Sequence, residues 1–438
     1  MKFGERHVIG ITGTDAKGRG CGEVAGRPAC VHFTLPGEEV EASYVSRRKG
    51  VVVLRLEKVL RPSPHRTEPR CPHAGHCGGC VWQQHAYPHQ LDLKRDLINR
   101  SFEAQGVPLR VDRVEPCPDL WYYRNRMDYC FGPRGELGLK EPGRWNAHVN
   151  LDTCFLLSPE AVLVMDIIRD YAASTGLEPW DNRRRSGFFR YLVIREGKNT
   201  DERLVTIVTA EGELPESRNL VGRLGPLATA VYHGINPTLT DISVSSRLIR
   251  LKGPPYLTER VAGNAYRIYP DSFFQTNTRM ADALLHQVID YVGQEKVGVL
   301  LDLYCGVGFF TLGLAGTADR VIGVEADAGA IEAARENATL NGVTNAEFID
   351  AQAEGLVWES ARPDTVVIDP PRPGLHPRVC EALLRARPQR IVYVSCNHRS
   401  LARDLQTLRD GFRPVTASAL DLFPHSPHVE TVALLERQ

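Results

Sequence analysis

The feature that most constrains the fold is a regular succession of apolar strands and helices after Tyr269. Apolar runs occupy residues 297–304, 320–325, 365–369 and 390–395, and helical segments lie between them, among them 329–341 and 379–387. Strands that are apolar along their whole length are buried on both faces, and the intervening helices are the crossovers of a parallel sheet. We therefore predict an α/β domain with a doubly wound parallel sheet.

The first of these strands runs into a turn that suits a cofactor. Gly306 and Gly308 follow it, and glycine allows a ligand to approach the backbone closely. The second strand ends at Glu325, where a carboxylate can accept hydrogen bonds from both hydroxyls of an adenosine ribose. A nicotinamide enzyme shares these features, but Leu312 stands where its third glycine is expected, so no pyrophosphate site is indicated.

A third strand ends in Asp369, two prolines and Arg372. Enzymes that methylate exocyclic amines use a similar turn, but they follow it with an aromatic residue that stacks on the base. Because Arg372 occupies that position, the sequence favours methylation at another atom.

The fourth strand ends at Cys396, between Ser395 and Asn397. A single cysteine is more often inert packing, but reacting groups gather at this edge of open α/β sheets. Carbon 5 of uracil becomes nucleophilic only after a thiolate has attacked carbon 6, and a base must later remove the carbon 5 proton. Cys396 is the candidate nucleophile, and Glu430, just before the final apolar run, is the candidate base.

A cysteine-rich segment near the N-terminus predicts a metal site. Cys71, Cys77 and Cys80 lie close together, and Cys154 is the best candidate for a fourth ligand. Four cysteines suit either tetrahedral zinc or an iron–sulfur cluster, and the spacing does not decide between them. Nearby histidines could compete as zinc ligands: His73, His76 and His85.

At 438 residues, with 42% hydrophobic and 24% charged residues, the chain has the length of two or three soluble domains. Short apolar runs within residues 1–60 predict a small β-barrel, and residues 85–105 predict a helix. Basic clusters at 45–70 and 183–195, the latter with interleaved aromatics, suit RNA, although solvated faces are an equal alternative. Without a signal peptide or an apolar span, we expect a cytoplasmic protein that binds no membrane and has no obligate protein partner.

Taken together, these motifs and residues 273–277 resemble the RNA uracil-5 methyltransferases, specifically those with an N-terminal TRAM barrel and a [4Fe-4S] cluster. The resemblance covers nearly the whole chain. It implies a C-terminal Rossmann-like class I methyltransferase domain of residues 85–116 and 266–438, an RNA-binding barrel of residues 1–60, and a mixed α+β central domain of residues 61–84 and 117–265 that carries the cluster. It also implies that the helix near residues 85–105 packs on the catalytic domain.

The resemblance assigns roles to individual residues. It makes Cys396 the nucleophile, Glu430 the base, and the four cysteines the ligands of the cluster. It implies S-adenosylmethionine contacts from a further set of residues: Gln275, Tyr304, Glu325, Asp350 and Asp369. One departure is that His398 stands where the family usually has a proline after Ser-Cys-Asn, which leaves the geometry of that turn open.

The resemblance favours 23S ribosomal RNA as the substrate over the T-loop uridine of transfer RNA. A 5-methylcytosine RNA enzyme is one alternative, but such enzymes place a cysteine where this chain has Arg372. Another is a non-catalytic RNA-binding iron–sulfur module or chaperone, which would need neither Cys396 nor Glu430.

Overall fold

The computed structural model describes residues 1–355 and 357–438. Its N-terminal part is a closed five-stranded barrel, in the order β1-β2-β3-β5-β4. Alternating side chains such as Ile9, Ile11 and Val40 fill its interior. Sharp turns join these short strands, and glycines occur there because glycine readily adopts the backbone conformations of such turns. The strands are β1 Arg6–Thr14, β2 Gly20–Val24, β3 Arg27–Val31, β4 Glu39–Arg48 and β5 Val51–Arg61.

The predicted early helix is confirmed as α1, Tyr87–Ala104, which begins with a proline in its first turn. Its apolar face, including Ile98 and Phe102, packs with Leu401 and Leu405 from near the end of the chain. The short strand β6, Val114–Glu115, then adds to the edge of the C-terminal sheet. The packing expected for this helix is thus confirmed.

The middle of the chain forms a seven-stranded sheet, in the order β13-β12-β11-β10-β7-β8-β9, whose core includes side chains of two helices. The strands are β7 Arg126–Phe131, β8 Leu137–Lys140, β9 His148–Asn150, β10 Phe189–Glu196, β11 Arg203–Thr209, β12 Ala230–Ile235 and β13 Arg247–Lys252. The helices are α2 Pro159–Ser174 and α3 Ser217–Leu224.

The second basic cluster is only partly a surface. Its residues 183–185 are exposed, but Arg190 and Arg195 are each 2% exposed, and Phe189 is fully buried. Arg190 donates to the carbonyl oxygens of residues 236, 238 and 240, and Arg195 donates to those of residues 270 and 272. The interpretation of this cluster as one RNA-facing patch is therefore wrong for its second half, where the arginines satisfy loop carbonyls instead.

The C-terminal part is an eight-stranded sheet, in the order β18-β17-β16-β19-β20-β22-β21-β6. Its first five strands are parallel, and four of them, β16, β17, β19 and β20, are the strands that the sequence predicted. β22 runs antiparallel between β20 and β21. A hairpin precedes the sheet: β14 Leu257–Val261 and β15 Asn264–Ile268. The sheet strands are β16 Val297–Leu303, β17 Ala318–Glu325, β18 Ala346–Asp350, β19 Thr365–Ile368, β20 Arg390–Ser395, β21 Phe412–Leu420 and β22 Glu430–Arg437.

Helices cover this sheet, and an asparagine or aspartate side chain caps three of them. Asn277, Asp327 and Asn397 each accept a hydrogen bond from a backbone amide in the first turn of the following helix. The helices are α4 Thr278–Val292, α5 Phe309–Gly313, α6 Ala328–Leu340, α7 Pro377–Ala386 and α8 His398–Leu408. Within the part of the chain that the structure describes, no helix is long and apolar enough to cross a membrane.

Candidate active site

The turn after β16 bends sharply toward the carboxyl edge of the sheet. Tyr304 has φ +67°, Gly306 has +54° and Gly308 has +89°, a left-handed region that costs a tyrosine energy. The amides of Tyr304 and Cys305 both donate to the carbonyl of Val324, at 2.9 and 3.1 Å, which holds the turn against β17. The backbone is therefore fixed in the conformation that opens this edge to a ligand.

Glu325 lies at the adjacent strand end and is oriented by this turn. Its Oε2 accepts from the Gly306 amide at 3.1 Å, and its Oε1 accepts from the amides of Ala326 and Asp327 at 2.7 and 3.0 Å. Asp350 is its register partner on β18 and is exposed. Tyr304, Glu325 and Asp350 thus lie at the carboxyl ends of three neighbouring parallel strands.

Asp369 and Gln275 meet where β19 ends. Nε2 of Gln275 donates to Oδ2 of Asp369 at 3.1 Å, and Asn125 from the middle of the chain donates to the Gln275 carbonyl at 2.8 Å. Burial raises the pKa of Asp369, and the Gln275 hydrogen bond opposes that rise. Five residues expected to contact the cofactor therefore lie along one edge of the sheet.

A buried carboxyl that sequence reasoning did not assign lies beneath this edge. Asp302 is fully buried, and its Oδ2 accepts from Thr311 Oγ1 at 2.6 Å. Its Oδ1 has no hydrogen-bond partner among the described residues. Burial raises the pKa of Asp302 to about 7, and the nearby charges of Asp369 and Glu325 add to that rise. The signal for this residue was its place at the end of a buried strand.

Cys396 and Glu430 are brought together by the antiparallel strand β22. Ser395, the last residue of β20, pairs with Thr431, so the residue after Ser395 faces the residue before Thr431. Glu430 is 3% exposed, and Cys396 is half-buried. Burial raises the pKa of Cys396 to about 11, with a further contribution from the Glu430 charge. Burial and the Asp369 charge hold the pKa of Glu430 well above its ordinary value.

Arg372 is a functional candidate that its place in the sequence does not reveal, because the Pro-Pro-Arg turn by itself only argues against amine methylation. Its carbonyl accepts from Asn397 Nδ2 at 2.9 Å and from Ser400 Oγ at 3.1 Å, so the Pro-Pro turn is tied to the cysteine turn. Its positive charge lowers the pKa of both Cys396 and Glu430, opposing the effect of burial. Only the tertiary structure places this charge beside the thiol.

The four cysteines lie in a separate place, around one cavity: Cys71, Cys77, Cys80 and Cys154. Of the three competing histidines, His73 also lines it and pairs with Asp152 at 2.7 Å. His76 is exposed, and His85 is buried against Trp82, so neither lines the cavity. Across the described ranges, no three His, Cys, Asp or Glu side chains converge in a way that could hold a single metal ion.

The C-terminal fold and the strand-end site define a class of protein, the Rossmann-like methyltransferases. Residues 256–438 match the family described as tRNA (uracil-5-)-methyltransferase. An uncharacterized RNA methyltransferase of Nanoarchaeum equitans is 37% identical over 98% of this chain and 93% of its own length. The tRNA (uracil(54)-C(5))-methyltransferase of Pyrococcus abyssi is 37% identical over 92% of this chain and 95% of its own length.

The fold agrees with these matches. The crystal structure of Pyrococcus abyssi tRNA (uracil-54, C5)-methyltransferase with S-adenosyl-L-homocysteine superposes with a TM-score of 0.83 at 34% identity, covering 98% of this chain and 99% of that one. The chain belongs to the family of RNA uracil-5 methyltransferases, enzymes that use S-adenosylmethionine.

Proposed function

We propose that this enzyme methylates carbon 5 of a uridine in RNA, with Cys396 as nucleophile and Glu430 as base. The observation that carries the proposal is the register of β20 and β22, which sets the thiol turn opposite the carboxyl. The nucleophile attacks carbon 6 and the base acts at the adjacent carbon 5, so both side chains must contact the same pyrimidine ring.

The proposed chemistry begins with the thiolate of Cys396, which bonds to carbon 6 and leaves a nucleophilic enolate at carbon 5. S-adenosylmethionine, when bound, supplies the electrophilic methyl group that carbon 5 takes. Glu430 then accepts the carbon 5 proton, and the returning electron pair expels Cys396 as thiolate. Arg372 suits the first step because its positive charge lowers the pKa of the thiol and so stabilises the anion. The raised pKa of Glu430 makes it a stronger base for the last step.

The strand-end residues are proposed to hold the cofactor. Glu325 is oriented to accept from the ribose hydroxyls, and the exposed Asp350 beside it borders the same edge. Gln275, Tyr304 and Asp369 lie nearer the thiol and are proposed to contact the methionine part of the cofactor. The strained backbone at Tyr304 supports this role, because such strain persists where function requires it.

The four cysteines are proposed to hold a [4Fe-4S] cluster. They line one cavity together, and four cysteines are the ligand set of a [4Fe-4S] cluster, in which each thiolate binds a different iron. Because the proposed reaction transfers no electrons, the role of the cluster is structural.

Metal analysis of anaerobically purified protein tests this proposal. We expect iron and acid-labile sulfide in equal amounts, and we expect both to be lost in Cys80→Ala. Cys130→Ala is the matched control, because Cys130 is buried on a neighbouring strand and does not line the cavity. One zinc per chain without sulfide would refute the cluster.

We further propose the domain division that the sequence suggested. Residues 1–60 form an RNA-binding barrel, residues 61–84 and 117–265 form the central domain, and residues 85–116 and 266–438 form the catalytic domain. The exposed Arg47, Arg48 and Lys49 on the barrel support its role in binding phosphate.

The relatives bear on the RNA substrate. Three relatives, from three Pyrococcus species, are tRNA (uracil(54)-C(5))-methyltransferases at 35–37% identity, which favours a tRNA T-loop. The resemblance of the sequence instead favoured 23S ribosomal RNA, and that proposal stays as the alternative.

Mapping 5-methyluridine in RNA from cells with and without the gene tests both the reaction and the substrate. Nuclease digestion and mass spectrometry would locate the mark, and loss from the tRNA T-loop is the expected result. Loss from one or two ribosomal positions instead would support the proposed reaction but identify ribosomal RNA as the substrate. Unchanged 5-methyluridine in every RNA would refute the proposed function and direct attention to 5-methylcytosine or to a non-catalytic binding role.

A further inference from the structure

We propose that one face of helix α1 holds the nucleophile and the base in a fixed relation, with Gln90, Lys94 and Ser101 as positioning residues. This inference rests on the proposed function, because it takes Cys396 and Glu430 as the reacting pair. Neither group lies on α1. The helix instead holds the two segments that carry them.

At the base end, α1 binds the segment that leads into Glu430. Nζ of Lys94 donates to Asp421 Oδ1 at 2.5 Å and to the Phe423 carbonyl at 3.0 Å, and neither charged side chain is exposed. Oε1 of Gln90 accepts from the amide of His425 at 2.8 Å. A buried, hydrogen-bonded ion pair has strict geometric requirements, so this segment has little freedom to move relative to α1.

At the nucleophile end, α1 binds the turn that carries Cys396. Ser101 Oγ and His398 Nδ1 share a hydrogen bond of 2.7 Å, and His398 is the first residue of α8, two residues after the nucleophile. Burial lowers the pKa of His398 to about 4, so the ring is neutral near pH 7. Ser101 Oγ also lies 3.1 Å from the Leu97 carbonyl, and a hydroxyl that donates there leaves the imidazole as the donor.

His398 stands where the family usually has proline, which would fix φ at the first position of the helix. The amide of a first helical residue has no partner within its own helix, so a proline would cost no internal hydrogen bond there. Here the side chain of His398 restrains the same position from outside, through Ser101. In this protein a hydrogen bond to another helix thus takes the place of the backbone restraint that a proline would provide.

The three positioning residues share one helix face because they are four and seven residues apart, which leaves them within about 40° of each other. A helix is rigid over this length, so the two ends cannot shift independently. Releasing one end misplaces one reacting group relative to the other, and a displacement near 1 Å can cost about 100-fold in rate.

Rapid-quench kinetics with a methylatable RNA and the full-length protein would test the proposal, with the covalent protein–RNA adduct followed on denaturing gels. We expect His398→Ala and Ser101→Ala each to slow adduct formation about 10- to 100-fold, with RNA affinity within about two-fold of wild type. The double variant should be no slower than either single variant, because both remove the same interaction. His398→Asn should recover most of the rate, since its amide group can reach the Ser101 hydroxyl with either polarity.

The base end should give a different kinetic signature. Gln90→Leu is expected to slow the decay of the adduct, where Glu430 acts, and to leave adduct formation nearly unchanged. His398→Pro, unlike His398→Ala, should form the adduct at a rate near that of the wild type, because the proline restrains the backbone locally. Adding Ser101→Ala to the His398→Pro variant should then leave the rate of adduct formation unchanged.

Asn99→Ala is the matched control, because Asn99 also anchors α1 by side-chain hydrogen bonds, to Val111, but touches neither reacting segment. It should lower the melting temperature without changing either step. Equal loss of both steps in all variants, or additive loss in the double variant, would overturn the positioning role. A wild-type protein that forms no adduct with any RNA would instead contradict the proposed function.

Discussion

The state of the Cys396 thiol gives the most direct test of the site. Burial raises the pKa of Cys396 to about 11, so only about 3 in 10,000 molecules hold a thiolate at pH 7.5 before RNA binds. As long as the pH is below that pKa, the thiolate fraction rises about ten-fold for each unit by which the pH increases. Alkylation of Cys396 by iodoacetamide, followed by peptide mass spectrometry, should therefore accelerate about ten-fold per unit from pH 7 to pH 9.

Arg372→Gln makes the test specific to this site. The guanidinium charge lowers the pKa of the thiol, and an interaction of a thiolate with a charged donor is worth about 1.5–3 kcal/mol, which corresponds to about one to two pKa units. Alkylation of Cys396 at pH 8 should then fall about 10- to 100-fold in the variant. Cys21 is the internal control, because it is half-buried and its pKa is set by Asp15, Arg19 and Arg100 as well as by burial.

Two outcomes would refute this reasoning. A plateau of the Cys396 alkylation rate below pH 8 would mean that the thiolate is already formed in the free protein. An unchanged rate in Arg372→Gln would mean that the guanidinium does not stabilise the anion.

Three further predictions concern the base, the buried carboxyl and the cofactor. Glu430→Gln should form the covalent RNA adduct but not release it, giving a slow band on denaturing gels; no such band with any RNA would remove Glu430 as the base. Asp302 has a folded-state pKa of about 7, above its ordinary 3.8, so its contribution to stability falls as pH rises through that window, by at most about 4 kcal/mol. Urea denaturation at pH 5 and pH 8 should show that Asp302→Asn removes this decline, and an unchanged decline would contradict the buried-proton assignment. Glu325→Ala should weaken S-adenosylmethionine binding at least ten-fold by calorimetry, because the ribose loses its acceptor; affinity within two-fold of wild type would exclude that contact.

Much of the catalytic domain followed from local pattern. Four of the five parallel strands are predicted within two residues because they are apolar along their length, and caps such as Asp327 define where helices begin. Strands with mixed polarity were missed: β2 and β18 have exposed or half-buried positions along most of their length, so no apolar run marks them.

Residue type and position predict the individual groups of the site but not the residues that surround them. Cys396 and Glu430 were chosen from the chemistry that each can perform. The roles of Arg372, Asp302 and Ser101 could not be read in the same way, because each depends on neighbours distant in the chain. The prediction that Arg190 and Arg195 bind RNA was wrong for a related reason. Basic residues among aromatics can also be buried, where they donate hydrogen bonds to the carbonyl oxygens of loops.

By itself, the sequence determined the elements and the chemistry available at the strand ends, because periodicity and residue type are local properties. The tertiary structure alone decided which groups act on one another. The antiparallel strand β22 sets Glu430 opposite Cys396, and a helix some 300 residues earlier in the chain holds both segments. Such relations arise from packing between distant segments, and no local pattern encodes them.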